Sequence, residues 1–297
     1  MFNRYALLKI LPRRFRPLKA AVKMHFFNAF GYELDLANPA TFNEKLNWLK
    51  CYDRNPLITQ CSDKYGVRDY ITDRVGAHIL NELFGVYEDA NEIDFDALPS
   101  RCVLKVTHGS GWNVLVKDGD YFVRKKRLDS VKRTKSRLKR WLKKKQHIRY
   151  QEWGYKNVPP KIVCEKYLEN DQDNLTDYKI HCFNGEPHFI QTVTDRKAGG
   201  FETFYDTKWN AQSLRLTNPP IGKEFPRPAC LPEMLEVAKA LSAPFPYVRV
   251  DLYEQNNRPI FGEMTFYPAS GYSDFKPPEW DAKLGELIVL PGGWHEK

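Results

Sequence analysis

The spacing of apolar positions changes from helical to strand-like about one third of the way along the chain. Thr41 followed by Glu44 has the pattern of a capping box and predicts the start of a helix over TFNEKLNWLKCYDR. Asp63 begins a second amphipathic pattern that ends near Gly76, and LPEMLEVAKALS predicts a later helix. From Cys102 onward, CVLKVTH, VLVKD and KIVCEKYLEN have the character of strands. The pattern therefore predicts an α+β protein behind a helical N-terminal region.

The segment DYKIHCFNGEPHFIQTV predicts a β-hairpin with Asn184-Gly185 at its turn, because this dipeptide suits the backbone of a tight hairpin turn. Since side chains alternate along a strand, Asp177, Lys179 and His181 point to one side. His181 and His188 fall roughly opposite each other, as zinc ligands would. No third ligand accompanies them, so ordinary half-buried histidines are the simpler interpretation.

The segment from Tyr247 to Gly271 contains two apolar strand-like runs on either side of a polar turn. If the turn centres on Asn257, Asp251 lies opposite Glu263, and Thr265 shares their face. Two carboxylates and a hydroxyl on one face are hard oxygen donors of the kind that Mg²⁺ prefers. The alternative is a structural cross-strand pair that Arg249 holds in place.

The net charge of +9 is concentrated in one segment, residues 124–145, which holds thirteen Lys or Arg and one Asp. Apolar residues recur there at roughly helical spacing, so we predict an amphipathic helix with a basic outer face. Such a face suits an anionic glycan or an anionic inner membrane surface, or serves only solubility. No nucleic-acid-binding motif accompanies it, so we expect no nucleic-acid partner.

The six cysteines are scattered without a CxxC pair, and most lie in apolar contexts. They are interpreted as reduced core residues of a cytoplasmic protein. The longest apolar stretches are shorter than a membrane span, and the basic N-terminus lacks the uninterrupted apolar core of a signal peptide.

The motif VLKVTHGSGWNVLVKD places Lys105 on a strand that enters a glycine-containing turn, where backbone amides can approach phosphate oxygens. The segment KIVCEKYLEN places Glu165 and Tyr167-Leu168 at the end of an extended segment, where backbone groups can pair with an adenine edge. Neither motif is specific alone, because glycine turns and strand ends are common.

The order of these motifs resembles that of the ATP-grasp superfamily. More narrowly, NEKLNWLK, YDRNPLITQCSDKYGVRDY, LKVTHGSGWN, EWGYKNVPPKIVCEKYL and DYKIHCFNG resemble the TupA-like ATP-grasp family of bacterial cell-surface polysaccharide clusters. The resemblance covers about residues 30–275. It implies an ATP-grasp fold with a helical region 1–100, a small subdomain 101–167 that carries the basic helix, and a large subdomain 168–297 that carries the metal site.

The resemblance also implies a role for each motif residue toward the two cofactors ATP and Mg²⁺. Lys105 contacts the α- and β-phosphates, and Lys179 reaches the γ-phosphate. Arg249 stabilises charge on the transferred phosphoryl group. The triphosphate lies under a turn formed by Thr107, His108, Gly109, Ser110 and Gly111. The adenine hinge comprises Glu165, Tyr167 and Leu168, with Glu169 or Asp171 as the ribose partner.

The resemblance assigns Asp251 and Glu263 to one or two Mg²⁺ ions. Many ATP-grasp enzymes have an asparagine two residues after the metal-binding glutamate, whereas this chain has Thr265. Because a hydroxyl is still an oxygen ligand, we expect a shifted or water-mediated metal contact.

The resemblance implies an ATP-dependent carboxylate–amine ligase that acts through an acylphosphate. The family context suggests that it amidates a uronic acid of a capsular or cell-surface polysaccharide with an amino acid or amino sugar. Two alternatives are a glycosyltransferase-like enzyme of the same pathway and a non-catalytic protein that binds an acidic glycan. The first requires a nucleotide-sugar site, for which the only hint is DGD at 118–120, and the second leaves the charged motif residues without a purpose.

Overall fold

The computed structural model describes residues 5, 8, 10–124, 126–168, 176–194, 201–216 and 224–292. It mixes helices with antiparallel sheets, so the predicted α+β class is confirmed. The α-helices are α1 (Leu18–Phe30), α2 (Phe42–Tyr52), α3 (Pro56–Ser62), α4 (Val67–Arg74), α5 (Val131–Leu142), α6 (His147–Tyr150), α7 (Leu231–Ser242) and α8 (Trp280–Glu286). Short 3-10 helices span Arg13–Phe15, Ala77–Ile79, Trp153–Tyr155 and Pro268–Gly271.

Thirteen strands of the described residues form three sheets. They are β1 (Leu83–Tyr87), β2 (Arg101–Val106), β3 (Asn113–Lys117), β4 (Asp120–Val123), β5 (Lys126–Leu128), β6 (Ile162–Lys166), β7 (Asp177–Phe183), β8 (Glu186–Thr194), β9 (Phe201–Asp206), β10 (Arg215–Leu216), β11 (Tyr247–Gln255), β12 (Arg258–Thr265) and β13 (Phe275–Lys276). The larger sheets have the orders β1-β6-β2-β3-β4-β5 and β12-β11-β7-β8-β9, and β10 pairs with β13.

Both predicted hairpins are present in the five-stranded sheet. Phe183 pairs with Glu186 across the Asn184-Gly185 turn, whose residues have φ of 49° and 84°. The second turn consists of Asn256 and Asn257, with φ of 53° and 59°. Asparagine and glycine tolerate this left-handed region better than other residues, which is why the chain reverses at these dipeptides.

A β-bulge at Gly262 sets the register of the second hairpin. Near the turn, Leu252 pairs with Phe261, whereas beyond the bulge Asp251 pairs with Glu263. Gly262 is therefore an extra residue on β12. A Cβ atom at Gly262 would lie 2.9 Å from the carbonyl oxygen of Asp251, so the bulge depends on glycine there. The predicted facing of Asp251 and Glu263 is confirmed, although the turn centres half a residue before Asn257.

The six-stranded sheet places β6 between β1 and β2, with every neighbouring pair antiparallel. Strand β1 comes from the first hundred residues, yet it belongs to the same sheet as β2. The subdomain boundaries near residues 100 and 168 stay a prediction.

Different helices pack on the two larger sheets. Helix α7 packs on one face of the five-stranded sheet, where the buried residues of β7 and β11 meet it. On the opposite face, Phe42 of α2 packs edge-on against Tyr247, with ring centroids 4.9 Å apart. Leu138 and Trp141 of the basic helix α5 are buried in a separate core cluster with β2 and β6. The remaining part of the face under Phe42 carries charged residues.

Two helix boundaries differ from the sequence prediction. The basic helix begins at Val131 after the N-cap Ser130, because Lys126–Leu128 pair with β4 as strand β5. The helix predicted from Asp63 begins at Val67, because Asp63 ends α3 and its carboxylate accepts a hydrogen bond from the backbone N–H of Tyr65. The capping box of Thr41 and Glu44 is confirmed.

All six cysteines are buried and free, as predicted. Among the described residues, no helix combines the length and the apolar character that a membrane crossing requires.

Candidate active site

Three charged side chains lie in a row across adjacent strands of the five-stranded sheet. Glu263 on β12 is directly opposite Asp251 on β11, and Asp251 is directly opposite Lys179 on β7. Two residues away on the same face, Arg249 is flanked by Thr265 and His181. The antiparallel pairing thus brings together residues that are far apart in the sequence, and opposite positions share a face of the sheet.

Asp251 is the centre of this row and is only 1% exposed. The Lys179 Nζ donates to its Oδ2 at 2.6 Å, and the Arg249 Nε donates to its Oδ1 at 2.7 Å. Lys179 is also paired with Asp177 at 2.6 Å. Burial alone would raise the pKa of the Asp251 carboxyl, but the charges of Arg249 and Lys179 outweigh burial and hold that pKa below its ordinary value. Arg249 contacts Asp251 at 2.7 Å and Glu263 at 3.9 Å, so the structural alternative, in which Arg249 holds these two carboxylates, also agrees with the geometry.

Glu263 is the accessible carboxylate of the row, with its side chain 44% exposed. The Thr265 hydroxyl lies 3.4 Å from the Glu263 Oε1 and accepts a hydrogen bond from the Arg249 Nη2 at 3.2 Å. Glu263, Thr265 and Asp251 form a hard oxygen donor set on one face, which suits Mg²⁺. Because both Asp251 oxygens are bonded to cations, Glu263 and Thr265 are the donors that a metal ion reaches first. Within the described residues, no three His, Cys, Asp or Glu side chains gather as a metal site.

A buried network of hydrogen-bonded polar side chains begins at His181, which lies opposite Arg249. His181 is hydrogen bonded to the Tyr247 hydroxyl at 2.9 Å and to the Gln191 Oε1 at 3.2 Å, and the Gln191 Nε2 donates to Glu202 at 2.7 Å. Burial and then the Arg249 charge lower the pKa of His181 to about 3, so this imidazole is neutral at neutral pH. His181 pairs with Phe189 across the hairpin, so the histidines are not directly opposite.

Lys105 and Glu165 occupy one face of the six-stranded sheet. The Lys105 Nζ lies 2.6 Å from the Glu165 Oε2, with the Lys105 side chain 24% exposed. The carboxylate predicted for the adenine hinge therefore pairs with the lysine predicted for the phosphates. Tyr167 and Leu168 follow the end of β6 and are half-buried. The ribose candidates Glu169 and Asp171 lie outside the described residues.

Most side chains of the predicted phosphate turn hold the turn itself in place. The Thr107 hydroxyl donates to the carbonyl of Pro159 at 2.8 Å, and the His108 Nε2 lies 2.8 Å from the carbonyl oxygen of Lys144. A Cβ at Gly109 would clash with the Trp112 ring, and Gly111 has a φ of 71°. Ser110 and Gly111 are exposed. The tip of the turn is therefore the part that is accessible from solvent.

Lys64 is a site residue that sequence reasoning missed. Its Nζ donates to the carbonyl of Gly109 in the phosphate turn at 2.6 Å. Burial lowers the pKa of Lys64, and the charges of Glu263, Lys105 and Glu165 all act on it. Lys64 therefore lies within electrostatic range of Glu263 on one sheet and of the Lys105–Glu165 pair on the other. No periodic signal marks it, because it follows the end of α3 and was assigned to a helix that begins later.

Tyr155 is a second missed residue beside the charged row. Burial, followed by the charges of Glu152 and Glu263, raises the pKa of its hydroxyl well above the ordinary value. It lines a hollow of about 20 Å³ together with Thr265 and Glu152. The motif EWGYKNVPPKIVCEKYL contains Tyr155, but nothing in its pattern indicates that Tyr155 lies near Glu263.

Comparison with known proteins gives one family and several distant structural likenesses. The TupA-like ATP-grasp family matches residues 44–289. No curated protein sequence matches the chain. D-alanine–D-alanine ligase from Bacillus anthracis complexed with ATP is 18% identical, with a TM-score of 0.40, over 70% of this chain and 55% of that one. L-amino acid ligase from Bacillus licheniformis is 15% identical, with a TM-score of 0.44, over 94% of this chain and 64% of that one.

D-alanine–D-alanine ligase from Helicobacter pylori is 14% identical, with a TM-score of 0.45, over 85% of this chain and 70% of that one. The chain thus spans just over half of the B. anthracis ligase. The family match covers most of the chain and includes the charged row, Lys64 and the phosphate turn. The chain belongs to the TupA-like ATP-grasp family, and members of the ATP-grasp family are ATP-dependent ligases that form carbon–nitrogen bonds.

Proposed function

We propose that this chain is an ATP-dependent carboxylate–amine ligase. The observation that supports this most directly is the row Lys179–Asp251–Glu263, with Arg249 and Thr265 beside it. Fixed cations next to an accessible carboxylate suit phosphoryl transfer, which needs positioning and charge neutralisation more than a covalent nucleophile. The Lys64 Nζ binds the carbonyl of Gly109 in the phosphate turn, and the charges of Glu263 and Lys105 both act on the pKa of Lys64, which supports a single site shared by the two sheets.

The proposed reaction has two steps. An oxygen of the substrate carboxylate attacks the γ-phosphorus of ATP, forming a C–O–P linkage and breaking the bond to the β-phosphate oxygen, so that ADP leaves. A neutral amine then attacks the acyl carbon, and phosphate leaves as the amide forms and the amine loses a proton. Lys105 and Lys179 bind phosphate oxygens, and Arg249 faces charge that develops on the transferred group. The ion pairs of Asp251 hold two of these cations before ATP binds.

Mg²⁺ fits the oxygen donors of Glu263, Thr265 and Asp251, and when bound it would neutralise charge on the phosphates. Glu263 is the donor on which binding depends most, because Asp251 already accepts bonds from Arg249 and Lys179. Adenine and ribose contacts are assigned to the strand end at Glu165, Tyr167 and Leu168 and to Glu169 or Asp171.

The decisive experiment measures ADP release from purified protein against a panel of uronic acids combined with amino acids and amino sugars. Glu263→Gln should lower the rate at least tenfold, in line with the loss of a metal-binding group. Glu186→Gln is the matched control, because Glu186 is exposed in the same sheet and pairs with the exposed Lys239. Normal turnover by Glu263→Gln would contradict the metal assignment, and absence of ATP-dependent product from every pair would contradict the ligase.

The uronic acid and the amine remain the proposed substrate classes, taken from the family context. The glycosyltransferase alternative gains no support from residues 118–120. Asp118 and Gly119 form the β3–β4 turn, and Asp120 accepts hydrogen bonds from Arg127, which leaves no paired carboxylates for a nucleotide sugar. Six buried free cysteines agree with a reducing compartment such as the cytoplasm.

The basic helix α5 and the residues after it are proposed to contact the anionic acceptor. Lys132, Arg140, Lys143 and Lys145 are exposed there. The carbonyl of Lys144 contacts His108 of the phosphate turn, so this basic segment adjoins the candidate site. Attraction between exposed charges is screened over about 8–10 Å at physiological salt, which means that the effect depends on ionic strength.

Changing Lys132, Arg140, Lys143 and Lys145 to Gln should raise the KM for a polymeric or lipid-linked acceptor and leave the KM for ATP nearly unchanged. The charge-matched control changes four exposed cations elsewhere, Lys208, Arg215, Arg227 and Arg258. If the two variants change the KM for the acceptor equally, or if neither changes it, the basic residues of α5 serve only solubility.

A further inference from the structure

The N-terminal segment exposes large apolar side chains outside the part of the chain that the family covers. Ile10, Leu11 and Phe15 are 79%, 43% and 62% exposed. They fall within six residues, whereas the other exposed large apolar side chains among the described residues are spread along the chain. Exposed apolar residues are ordinary when single, but a local group of them marks an interaction surface.

The same segment is strongly cationic. Residues 1–32 contain seven Lys or Arg and no Asp or Glu. Arg13 and Arg14 are exposed, and the Arg14 guanidinium lies over the Phe15 ring at 4.7 Å. The Arg16 Nε donates to the carbonyl of Leu11 at 3.0 Å, which closes the segment on itself. The apolar and cationic side chains therefore form one small surface, here called the N-terminal tip and comprising residues 10–16.

The N-terminal tip is attached to the core by helix α1. Pro12 precedes the short helix Arg13–Phe15, and Pro17 precedes α1. The proline rings fix their own backbone φ, which limits the conformations of the connection. Ala21, Val22 and Phe26 of α1 are fully buried. The helix therefore presents the tip at a defined place on the surface.

The tip lies beside a second cationic segment. The short helix Arg13–Phe15 packs on α6, which follows the basic helix α5 after four residues. The His25 ring of α1 contacts the Tyr150 ring of α6 edge-on, with centroids 5.9 Å apart, and the Arg149 guanidinium lies over Tyr150. The tip thus adjoins the helix that carries Arg149, and this helix follows the basic residues 143–145 in the sequence.

We propose that the N-terminal tip docks on an anionic lipid bilayer. Ile10, Leu11 and Phe15 would enter the headgroup boundary, while Arg13, Arg14 and Arg16 bind lipid phosphates. An apolar cluster within a basic surface is the combination that binds membrane interfaces, because the two terms reinforce each other. A soluble acidic glycan would use the cations and leave the apolar side chains in water, which is why the bilayer is the favoured partner.

The test is co-sedimentation of the full chain with vesicles of phosphatidylcholine alone or mixed with phosphatidylglycerol. The unchanged chain should bind the mixed vesicles more tightly. Changing Arg13, Arg14 and Arg16 to Gln should weaken this binding roughly 100-fold, at about fivefold for each cation. The charge control changes Lys208, Arg215 and Arg258 to Gln and should bind like the unchanged chain.

A second variant separates membrane docking from general attraction to polyanions. Changing Ile10, Leu11 and Phe15 to Ser should weaken vesicle binding but leave binding to soluble polyglutamate unchanged. Phe84→Ser with Val289→Ser is its control, because both side chains are exposed elsewhere. Undiminished vesicle binding by the Ser variant, or no binding by the unchanged chain, would overturn the proposal. The assay contains no ATP, so its outcome does not depend on the ligase assignment, and circular dichroism verifies that each variant is folded.

Discussion

The two larger sheets hold their candidate site residues in different ways. In the five-stranded sheet, Asp251 is buried and bonded to two cations by side chains alone. In the six-stranded sheet, the phosphate turn is exposed at its tip. Its own Thr107 and His108 bind the carbonyls of Pro159 and Lys144, and Lys64 binds it from outside. The first site is a closed network of charges, and the second is a backbone surface with external supports.

Because of this difference, the buried ion pairs should matter most for stability and the exposed turn should matter most for binding. A buried ion pair is strongly unfavourable to break, because the remaining charge has no water around it. A turn that is held by several hydrogen bonds can lose one of these bonds without unfolding the protein, although the conformation of the turn then changes. Substitution of the buried Asp251 should therefore affect folding, whereas substitutions of the accessible Glu263 or of residues around the turn should affect metal or ATP binding.

The largest effect is expected for Asp251→Asn. Loss of the carboxylate charge leaves Lys179 and Arg249 less compensated, so the free energy of unfolding should fall by about 3–5 kcal/mol. Glu263→Gln is the comparison within the same row, because its side chain is accessible, and its unfolding free energy should stay within about 0.5 kcal/mol. Urea denaturation measures both values. An equal decrease of the unfolding free energy in the two variants would contradict the assignment of Asp251 to stability and Glu263 to metal binding.

Lys64→Met should weaken ATP binding with little change in overall stability. Without this bond the turn must be ordered when ATP binds, at a cost of up to the roughly 1.5–3 kcal/mol that a hydrogen bond from a charged donor contributes, so we expect the Kd for ATP to rise roughly tenfold. Lys64→Arg should recover part of the affinity, and Lys239→Met is a control for an exposed lysine outside the candidate site. Calorimetric titration with ATP measures the change. Unchanged affinity in Lys64→Met would exclude Lys64 as a support of the turn.

A smaller effect is expected from mild acid through His181. Its pKa lies near 3 in the folded state and near 6.5 in the unfolded chain, so only the unfolded chain gains a proton as the pH falls below about 6.5. The unfolding free energy should therefore decrease by at most about 1.4 kcal/mol from this residue between pH 6.5 and 5.5. Asp251 adds a loss only at lower pH, because its lowered pKa gives stability that disappears as the carboxyl protonates.

Denaturation of His181→Gln over this pH range should show a flatter profile than that of the unchanged chain. His78→Gln is the control, because His78 is an exposed histidine. If the two variants have the same pH profile as the unchanged chain, His181 does not contribute to acid sensitivity.

Much of the fold and part of the site follow from local sequence signals. The two hairpins were predictable, because the Asn184-Gly185 and Asn256-Asn257 turns require left-handed backbone and the flanking residues alternate. The row of Asp251 opposite Glu263 followed from that pairing. Lys64 was not predictable, because its function depends on a contact with Gly109 that is 45 residues away in the sequence. The pairing of Lys105 with Glu165 has the same origin, since the strands that bring them together are sixty residues apart.

The bulge at Gly262 determines which face of the sheet carries Glu263. Phe261 faces the α7 side of the sheet with Leu252, and Glu263, two residues later, faces the opposite side with Asp251. Two positions apart on a regular strand would share a face, so the extra residue inverts the alternation between core and site. A chain that lengthened or shortened this hairpin by one residue could keep its carboxylate in the site only by gaining or losing a bulge.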